Sequence, residues 1–542
     1  MFKSSNSILN SHDPNQEEVD YLIIGGGING VAIARELSLR QQQVMLVEQS
    51  DIGSGTSSAS SKLAHGGLRY LEQLHFKLVR RSCIERDLLI QNSPHLVKPL
   101  PFLIPIYSHS TFSRFQIKCG LTLYDLLSGH RRIHPHMMLS AKETLAKEPD
   151  LNPKGLLGAG LYFDAQMDDA RLCIEIAKQA QQYGAIISNY TKAEILHKQG
   201  EKLHSATIVN TLTGKKTLVK AKFFINTTGP WATEVHNKIN AKSSPLIQKS
   251  KGIHIVVKRM THHHAILIRS KQDNRVFFVI PWKNHSLIGT TDTPFNDAPD
   301  TVRITQNEID YLIEETNRIF PKVPLKTSDI ISTFAGIRPL IKQNKTSMSS
   351  ISREEKSIKH HNALSVIGGK YTTFRYIAEK VAKDILQDKN FQSLTHDLPS
   401  YGGDLISTDE LLRQNIAIES KLYGCSKSTL AHVIEHYGSA YPHVLSYIYS
   451  TKDGRKQLGN TPHFKGEIRY AIHEEFAKTA LDFLRRRTAI LLSETNGLSC
   501  LEEILNCFSS ELNWSKEREE NEQESVLNEI QMMIPKSKHS DT

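Results

Sequence analysis

The sequence predicts an α/β protein, α+β overall, with a parallel βαβ unit first, an antiparallel sheet after it and helices at the end. Residues 21–24 form an apolar run that enters a glycine-rich turn, and apolar residues then recur at helical spacing over 31–39. Short segments of alternating polarity fill the middle of the chain. Helical patterning with few strand signals follows from about Leu398.

The glycine-rich turn predicts a dinucleotide-binding unit. Gly25 permits a tight turn, Gly27 lets a pyrophosphate approach the backbone, and Gly30 lets the helix pack closely on the strand. Free N–H groups at the start of the helix favour phosphate. A second apolar run, 44–47, ends in Glu48, which is placed to bind a ribose hydroxyl and argues against NADP. This pattern alone leaves FAD and NAD open.

The middle of the chain predicts a second domain. Small residues at 53–61 lead into KLAHGGLRYLE, whose apolar, basic and glycine residues are unusual in a flexible linker. The backbone amides and hydroxyls of residues 53–61 can line a cofactor. Alternating segments lie at 206–210 and 222–226, and others start at His254, Ala265, Val276 and Ser286. They predict an antiparallel sheet.

Composition sets further bounds. The 542 residues suffice for two to four domains, and 39% hydrophobic with 23% charged residues is typical of a soluble globular protein. No apolar run is long enough to cross a bilayer, and the polar segment before Val19 lacks the apolar core of a secretion signal. The six cysteines show no CxxC spacing. We expect them to be reduced and buried, with no metal site and no disulfide framework.

The net charge of +10 suits an anionic partner. The sequence carries no nucleic-acid-binding motif, so we expect no nucleic-acid partner and favour an anionic membrane surface. Residues 112–127 combine Phe, Ile and Leu with Arg114 and Lys118, which indicates an amphipathic helix at a membrane interface. An ordinary surface helix with one core-facing stripe is the alternative.

An ordered set of motifs resembles one enzyme family. The motifs are GGGINGVAIA, SSASSKLAHGGLRYLE, MDDARL at 167–172, NTTGPW, KGIHIVV, FVIPW with GTTD, GIRPL and GGKYTTFR. Together they resemble the FAD-dependent, quinone-linked glycerol-3-phosphate dehydrogenases. The likeness runs from about residue 19 into the last hundred residues, where EIRYAIHEEFAKTALDFLRRRT from Glu467 resembles the family's C-terminal helices.

The resemblance implies a fold and its division. We expect a Rossmann-like FAD-binding domain of the glutathione-reductase and D-amino-acid-oxidase type, discontinuous over 19–75, 155–235 and 335–390. A substrate-binding or cap domain with an antiparallel sheet is expected over 76–154 and 236–334, and a C-terminal helical domain over 391–542.

The resemblance also implies a reaction, the oxidation of sn-glycerol 3-phosphate to dihydroxyacetone phosphate by hydride transfer to FAD N5. The residues expected at the substrate are Arg69, Tyr70, Arg338, Lys370 and Thr372. Guanidinium forks suit phosphate oxygens, and histidine can accept the hydroxyl proton. Catalytic roles are expected for Arg338 and Lys370, and for His65 or His254 as the base.

The expected FAD contacts are spread over the chain. They are Gly25, Gly27, Asn29, Gly30 and Glu48 in the first unit, Thr56, Ser57, Ser58, Ser61 and Lys62 after it, and Gly229, Gly368, Gly369, Lys370 and Thr372 further on. A helix that begins near Thr372 would stabilise negative charge on the reduced flavin.

The resemblance implies a membrane quinone as electron acceptor and a cytoplasmic enzyme that is peripheral on the inner face of the plasma membrane, with a homodimer possible. Two other functions stay open. One is an oxygen-reducing glycerol-3-phosphate oxidase, and the other is a non-catalytic flavin-binding subunit. The combination of Arg69, Arg338 and Lys370 argues against the non-catalytic subunit, because such a subunit needs no phosphate-binding site.

Overall fold

The computed structural model describes residues 18–129, 132–240, 246–342, 355–404 and 416–535. In chain order the strands are β1 (Glu18–Ile24), β2 (Val44–Val47), β3 (Leu63–Ala64), β4 (Val97–Tyr107), β5 (Met137–Ser140), β6 (Leu156–Met167), β7 (Ile186–Ser188), β8 (Thr191–Gln199), β9 (Lys202–Asn210), β10 (Lys216–Asn226), β11 (Ile247–Lys258), β12 (Ala265–Arg269), β13 (Val276–Trp282), β14 (His285–Gly289), β15 (Thr293–Phe295), β16 (Ile330–Ile341), β17 (Glu355–His360) and β18 (Ala363–Gly368). The longer α-helices are α1 (Ile28–Leu39), α2 (Phe76–Asn92), α3 (Arg114–Ser128), α4 (Ala141–Lys147), α5 (Asp169–Gln182), α6 (Ala232–Ile239), α7 (Gln306–Ile319), α8 (Phe374–Leu386), α9 (Lys427–Tyr437), α10 (Tyr441–Tyr449), α11 (Lys465–Glu474), α12 (Leu501–Leu512) and α13 (Lys516–Met533).

The first sheet has the strand order β17-β18-β10-β1-β2-β7, and the β8–β9 hairpin extends it from β10. The pairs of β1 with β2 and β10 are parallel, as are β2 with β7 and β10 with β18. Ile24 is in register with both Val47 and Asn226, so the carboxyl ends of the central strands meet at one edge. The predicted βαβ unit is therefore confirmed as β1, α1 and β2.

Three helices cover this sheet because their apolar residues face it. Side chains of α1, α5 and α8, including Val31, Ile176 and Ile377, share one buried cluster with Ile23 and Leu46 of the strands. Helix α5 starts at a defined point because the Asp168 carboxylate accepts the Arg171 N–H at 3.2 Å. The layered α/β prediction is confirmed.

The second sheet has the order β15-β11-β14-β13-β12-β4-β6-β3, with β16 on β11 and β5 on β6. The antiparallel strands predicted from His254, Ala265, Val276 and Ser286 are present as β11 to β14. The pair of β12 with β4 is parallel and joins the two parts of the sheet. Strands β3 and β6 also pair in this sheet. Helix α7 packs on one face with Ile309, Leu312 and Ile319.

The C-terminal part is helical, as predicted, and has its own apolar core, which includes Ile468, Phe483, Ile504 and Val526. It is fixed to the first domain by buried ion pairs. The Arg171 guanidinium binds both oxygens of Glu475 at 2.6 and 2.8 Å.

A second set of ion pairs, which we call the C-terminal joint, comprises Asp51, Arg486 and Arg487. Arg486 Nε lies 2.5 Å from the Asp51 carboxylate, and Arg487 donates to both of its oxygens. All three side chains are buried. The C-terminal helices are thereby connected to the loop that follows Glu48.

Helix α3 confirms the helix predicted over 112–127. Its Leu121 and Tyr124 are buried, whereas Phe115 is 75% and Leu126 72% exposed. Cys119 of this helix is exposed and Cys425 is half-buried, so the expectation that the cysteines are buried is wrong at these two positions. In the described ranges no helix has the length and apolar character needed to cross a bilayer. The polar segment before Val19 lies almost entirely outside the described residues.

Candidate active site

A cleft of about 600 Å³ lies between the two sheets. One wall consists of the segments that follow β1, β2, β10 and β18, and the other is supplied by β11, β13 and β16 of the second sheet. Ligands of open α/β sheets bind outside the carboxyl ends of the strands, which is where this cleft opens. Its volume lies in the range of sites for small ligands and cofactors.

The first turn is as compact as its glycines predict. Gly25 has a φ of +112°, and a Cβ there would lie 2.7 Å from the Thr227 carbonyl oxygen. A Cβ on Gly30 would lie 1.9 Å from the Gly25 carbonyl oxygen, so only glycine lets the helix pack this closely. Gly27 lines the cleft at the start of α1, whose first turn has no acidic residue. An anion is therefore the complementary ligand of this helix end.

Glu48 lies at the end of β2 and faces the same cleft. Its carboxylate accepts the Gly26 N–H at 2.7 Å and the Ser50 N–H at 3.0 Å, which fixes its orientation. Burial nevertheless raises the pKa of Glu48. A ribose hydroxyl that donates to this carboxylate would replace water there.

Thr227 holds the glycine turn and was not anticipated from the sequence. Its hydroxyl lies 3.0 Å from the Ile24 carbonyl oxygen and 2.9 Å from that of Gly25, across from the end of β10. The NTTGPW motif contained this residue, but only the parallel register of β1 and β10 brings it to the turn.

Arg338 projects from β16 on the second wall. Its Nη2 donates to the Thr290 hydroxyl at 2.8 Å and its Nη1 to the Thr291 carbonyl oxygen at 3.2 Å. A Cβ on Gly252 would lie 2.4 Å from Arg338 Nη2, so this glycine of the KGIHIVV motif makes room for the guanidinium. Sequence reasoning did not identify this role of Gly252.

Arg69 and Lys370 surround Tyr70 on the first wall. Lys370 Nζ lies 3.9 Å from the centre of the Tyr70 ring and 3.1 Å from the Ser82 hydroxyl. The Arg69 guanidinium carbon lies 5.2 Å from the same ring, and Nη2 is buried without a hydrogen-bond partner among the described residues. Together with Arg338, these residues bring three cations from distant segments to one cleft.

The two histidines differ in their surroundings. His254 is buried, stacks on Phe334 at 4.9 Å and pairs through Nε2 with the Ser61 hydroxyl at 2.9 Å. Burial and the nearby Arg338 and Lys62 hold the pKa of His254 well below its usual range, so it is neutral near pH 7. His65 lines the cleft with a partly exposed side chain, and its backbone N–H donates to the Thr372 hydroxyl at 3.2 Å.

Most residues that the sequence indicated line this cleft. They are Gly25, Gly27, Asn29, Glu48, Thr56, Ser57, Ser61, His65, Arg69, Tyr70, Gly229, His254, Arg338, Gly368, Gly369, Lys370 and Thr372. Gly30, Ser58 and Lys62 do not line it. Lys62 forms a buried ion pair with Asp169 at 2.6 Å.

The cleft meets the requirements of a dinucleotide such as FAD. The start of α1, where the Ser57 hydroxyl accepts the Ile28 N–H at 2.9 Å and no acidic side chain lies in the first turn, is complementary to a pyrophosphate, and Glu48 is complementary to a ribose. Three buried polar atoms on lining residues, Asn29 Oδ1, Arg69 Nη2 and His254 Nδ1, have no hydrogen-bond partner within the described ranges. Unsatisfied buried groups are costly and indicate a missing ligand or solvent.

Two family models match the chain. The model described as FAD dependent oxidoreductase matches residues 20–382, and the model described as the C-terminal domain of alpha-glycerophosphate oxidase matches residues 393–519. Both matches fall on the parts that the structure separates into sheets and C-terminal helices.

Full-length relatives share the same arrangement. The chain is 34% identical over 532 residues to the aerobic glycerol-3-phosphate dehydrogenase of Bacillus subtilis, covering 96% of this chain and 95% of that protein. It is 35% identical over 523 residues to a glycerol-3-phosphate dehydrogenase of Synechocystis, covering 92% and 94%. The crystal structure of glycerol-3-phosphate dehydrogenase from Bacillus halodurans complexed with FAD superposes with a TM-score of 0.83 at 29% identity and covers 98% of both chains.

Proposed function

We propose, because the chain belongs to the family of FAD-dependent glycerol-3-phosphate dehydrogenases, that it oxidises sn-glycerol 3-phosphate to dihydroxyacetone phosphate. The observation that carries the proposal is the convergence of Arg69, Arg338 and Lys370 on the cleft that fits FAD. A dianionic phosphate is the substrate group that such a set of cations recognises.

The residues at the glycine turn hold the adenosine half of FAD. The first turn of α1 binds the pyrophosphate, Glu48 binds the ribose, and the Thr227 hydroxyl keeps the turn in shape. The segment from Gly368 to Thr372 holds the other end of the cofactor, next to the cations. When bound, FAD supplies the acceptor of the C2 hydride.

The phosphate lies between the two walls of the cleft, which Arg338, Arg69 and Lys370 line. The contacts of Arg338 with Thr290 and Thr291 orient its fork before the substrate arrives, which lowers the cost of ordering it on binding. The Tyr70 ring holds the Lys370 ammonium and the Arg69 guanidinium on the first wall through cation–π contacts. These contacts fix the position of C2 through the phosphate.

His65 is our choice for the base that takes the hydroxyl proton. A general base works best when its pKa is near the working pH, and the depressed pKa of His254 makes it a weak proton acceptor. His254 instead positions the Ser61 hydroxyl at the cleft wall. His254 then stays neutral, which limits the positive charge next to Arg338.

The acceptor of the electrons is a membrane quinone, and the enzyme lies at the inner face of the plasma membrane. The exposed Phe115 and Leu126 of α3, with Arg114 and Lys118 on the same helix, support contact with an anionic bilayer. An oxygen-reducing oxidase would release peroxide in air, and peroxide at the rate of substrate turnover would replace the quinone assignment.

The test is to purify the flavoprotein, remove oxygen and add glycerol 3-phosphate while the flavin absorbance is recorded. We expect bleaching of the bound flavin and one dihydroxyacetone phosphate per flavin. Glycerol is the matched control, because it offers the same alcohol without the phosphate. A flavin that stays oxidised with glycerol 3-phosphate would overturn the proposed function.

A further inference from the structure

Two histidines and a glutamate meet inside the C-terminal helical part. We call His432, His463 and Glu467 the His–Glu cluster. His432 lies on α9, His463 lies two residues before the start of α11, and Glu467 lies in the first turn of α11. One nitrogen from each imidazole and one carboxylate oxygen lie within 4.8 Å of one another. The three residues do not line the candidate active site, so the proposed reaction assigns them no role.

The His–Glu cluster is buried and is accessible from one side. The side chains of Glu467 and His463 are 0% and 3% exposed, whereas that of His432 is 15% exposed. His432 Nε2 itself is buried and has no hydrogen-bond partner in the described part of the chain. Such a nitrogen is costly and indicates a ligand or solvent that completes it.

The ligand atoms have the spacing of a metal site. A tetrahedral Zn²⁺ binds imidazole nitrogen and carboxylate oxygen at about 2.0–2.1 Å, which places its ligand atoms about 3.4 Å apart. His432 Nε2 lies 3.4 Å from Glu467 Oε1, and His463 Nδ1 lies 2.9 Å from Glu467 Oε2. A small widening of the second distance lets an ion replace this hydrogen bond. The proton on His463 Nδ1 then passes to solvent, as metal binding requires.

We propose that the His–Glu cluster binds a divalent transition-metal ion, for which Zn²⁺ fits best, and that this ion joins α9 to α11. Two imidazoles and a carboxylate are a ligand set that Zn²⁺ takes, whereas Mg²⁺ and Ca²⁺ prefer oxygen ligands. The inference does not depend on the substrate or on the electron acceptor. The lack of CxxC spacing, from which we expected no metal site, does not bear on this cluster, because it contains no cysteine.

The residues around the cluster orient its ligands. The Tyr437 hydroxyl donates to Glu467 Oε2 at 2.9 Å, and the Phe464 N–H donates to Oε1 at 2.7 Å. The rings of His432 and His463 lie edge to face, with their centres 4.6 Å apart. Outer contacts of this kind hold metal ligands in position, and each carboxylate oxygen has a second lone pair for an ion.

The charge of Glu467 favours a cation at this position. Among the described residues, Glu467 forms ion pairs only with the two histidines of the cluster, which are largely neutral above pH 7. Lys283, whose positive charge lies near His463, donates instead to the Thr488 carbonyl oxygen at 3.0 Å. A buried carboxylate without a cationic partner is costly, and a divalent ion would supply that partner.

An ion in the cluster would also strengthen the attachment of α9. His436, one turn after His432, donates through Nε2 to the Arg487 carbonyl oxygen at 2.6 Å. Helix α9 is thus connected on one side to the C-terminal joint and, through the ion, to the start of α11. We therefore expect the ion to stabilise this region and to leave the chemistry of the flavin unchanged.

The test is to strip the purified flavoprotein with EDTA, dialyse it against Zn²⁺ and measure bound metal by mass spectrometry. We expect about one Zn²⁺ per chain, and roughly tenfold or more weaker binding in His432→Ala. His473→Ala is the matched control, because His473 is a half-exposed histidine of α11 that pairs with Glu511 outside the cluster, and this variant should bind as the parent does. Lack of bound Zn²⁺ in the parent, or unchanged binding in His432→Ala, would overturn the inference.

A surface group provides an internal comparison. Glu201, His360 and His361 have similar spacing but lie near the surface, where Glu201 and His361 are exposed. Glu201→Ala removes the carboxylate of this group and should leave the Zn²⁺ content unchanged. If Glu201→Ala abolished binding and His432→Ala did not, the ion would belong to the surface group and the inference would be wrong.

Hydrogen exchange locates the ion without an activity assay. Zn²⁺ should slow amide exchange in α9 and in the first turn of α11 of the parent, and should have no such effect in His432→Ala. An unchanged flavin content in metal-free His432→Ala shows that the variant is folded. If it does not fold, His463→Gln takes its place, because glutamine keeps a donor for Glu467 and lacks the imidazole lone pair. Equal slowing in the folded variant, or slowing confined to other helices, would refute the site.

Discussion

The role of Arg338 can be tested quantitatively by removing its side chain. The structure orients the guanidinium with hydrogen bonds to Thr290 at 2.8 Å and to Thr291 at 3.2 Å and a longer ion pair with Asp292 at 3.5 Å, and the side chain lines the cleft. If the fork makes two charge-assisted hydrogen bonds to phosphate, each worth about 1.5–3 kcal/mol, Arg338→Ala loses about 3–6 kcal/mol of transition-state binding. The expected fall in kcat/KM for glycerol 3-phosphate is roughly 10²–10⁴-fold.

Arg338→Lys keeps the charge and loses the fork, so we expect a smaller fall of about 10–100-fold. The assay compares glycerol 3-phosphate with glycerol in each variant, because glycerol has no phosphate to lose. Arg275→Ala is the matched control, since Arg275 lies near Asp292 but does not line the cleft. If Arg338→Ala lowered kcat/KM equally for both substrates, Arg338 would not bind the phosphate and the reasoning would be refuted.

Three further predictions follow from the site and its supports. His65→Ala should lower turnover by about 10²–10⁴-fold with FAD content unchanged, and full turnover would exclude His65 as the base. His254 has a pKa lowered by burial, so between this pKa and about 6.5 the unfolded chain binds one more proton than the folded chain, and stability is lost as pH falls. In urea titrations, His254→Gln should therefore reduce the slope of the free energy of unfolding against pH, on the acid side, by up to about 1.4 kcal/mol per pH unit. An unchanged slope would show that the burial of His254 does not cause the loss of stability in acid. Glu475→Gln removes the carboxylate that pairs with the buried Arg171 at 2.6 Å and leaves it the longer, 3.7 Å pair with Glu175, so it should destabilise the C-terminal helices by about 3 kcal/mol in urea unfolding. Arg171→Met combined with Glu475→Met should restore part of the loss, and a single variant as stable as the parent would disprove a structural role for the pair.

Features that depend on nearby residues were predictable from the sequence. The turn at Gly25, the first helix and the strands that start at His254 and Ala265 follow from spacing and polarity within a few residues. The cations of the site were identified through the motifs that contain them rather than through their geometry.

Features that depend on distant contacts were not predictable. Lys62 lies in a motif that suggested a cofactor contact, yet its partner Asp169 is brought to it only by the folded chain. Thr227 reaches the glycine turn through the register of β1 and β10, and Gly252 is required because Arg338 crosses it from another strand. The residues around a glycine in the sequence do not indicate which distant side chain will pack against it in the fold.

The C-terminal joint has a consequence for how the chain is made. Asp51 is separated by 435 positions from Arg486 and by 436 from Arg487, so a ribosome must add all of these residues before the buried carboxylate meets its guanidinium partners. Until then the Asp51 carboxylate, three residues beyond Glu48 at the carboxyl edge of the first sheet, lacks both guanidinium partners. The N-terminal unit can form its strands and helix early. The edge beside Glu48 is completed only once Arg486 and Arg487 have been made, so a nascent chain that ends before Arg486 lacks both guanidinium partners of Asp51.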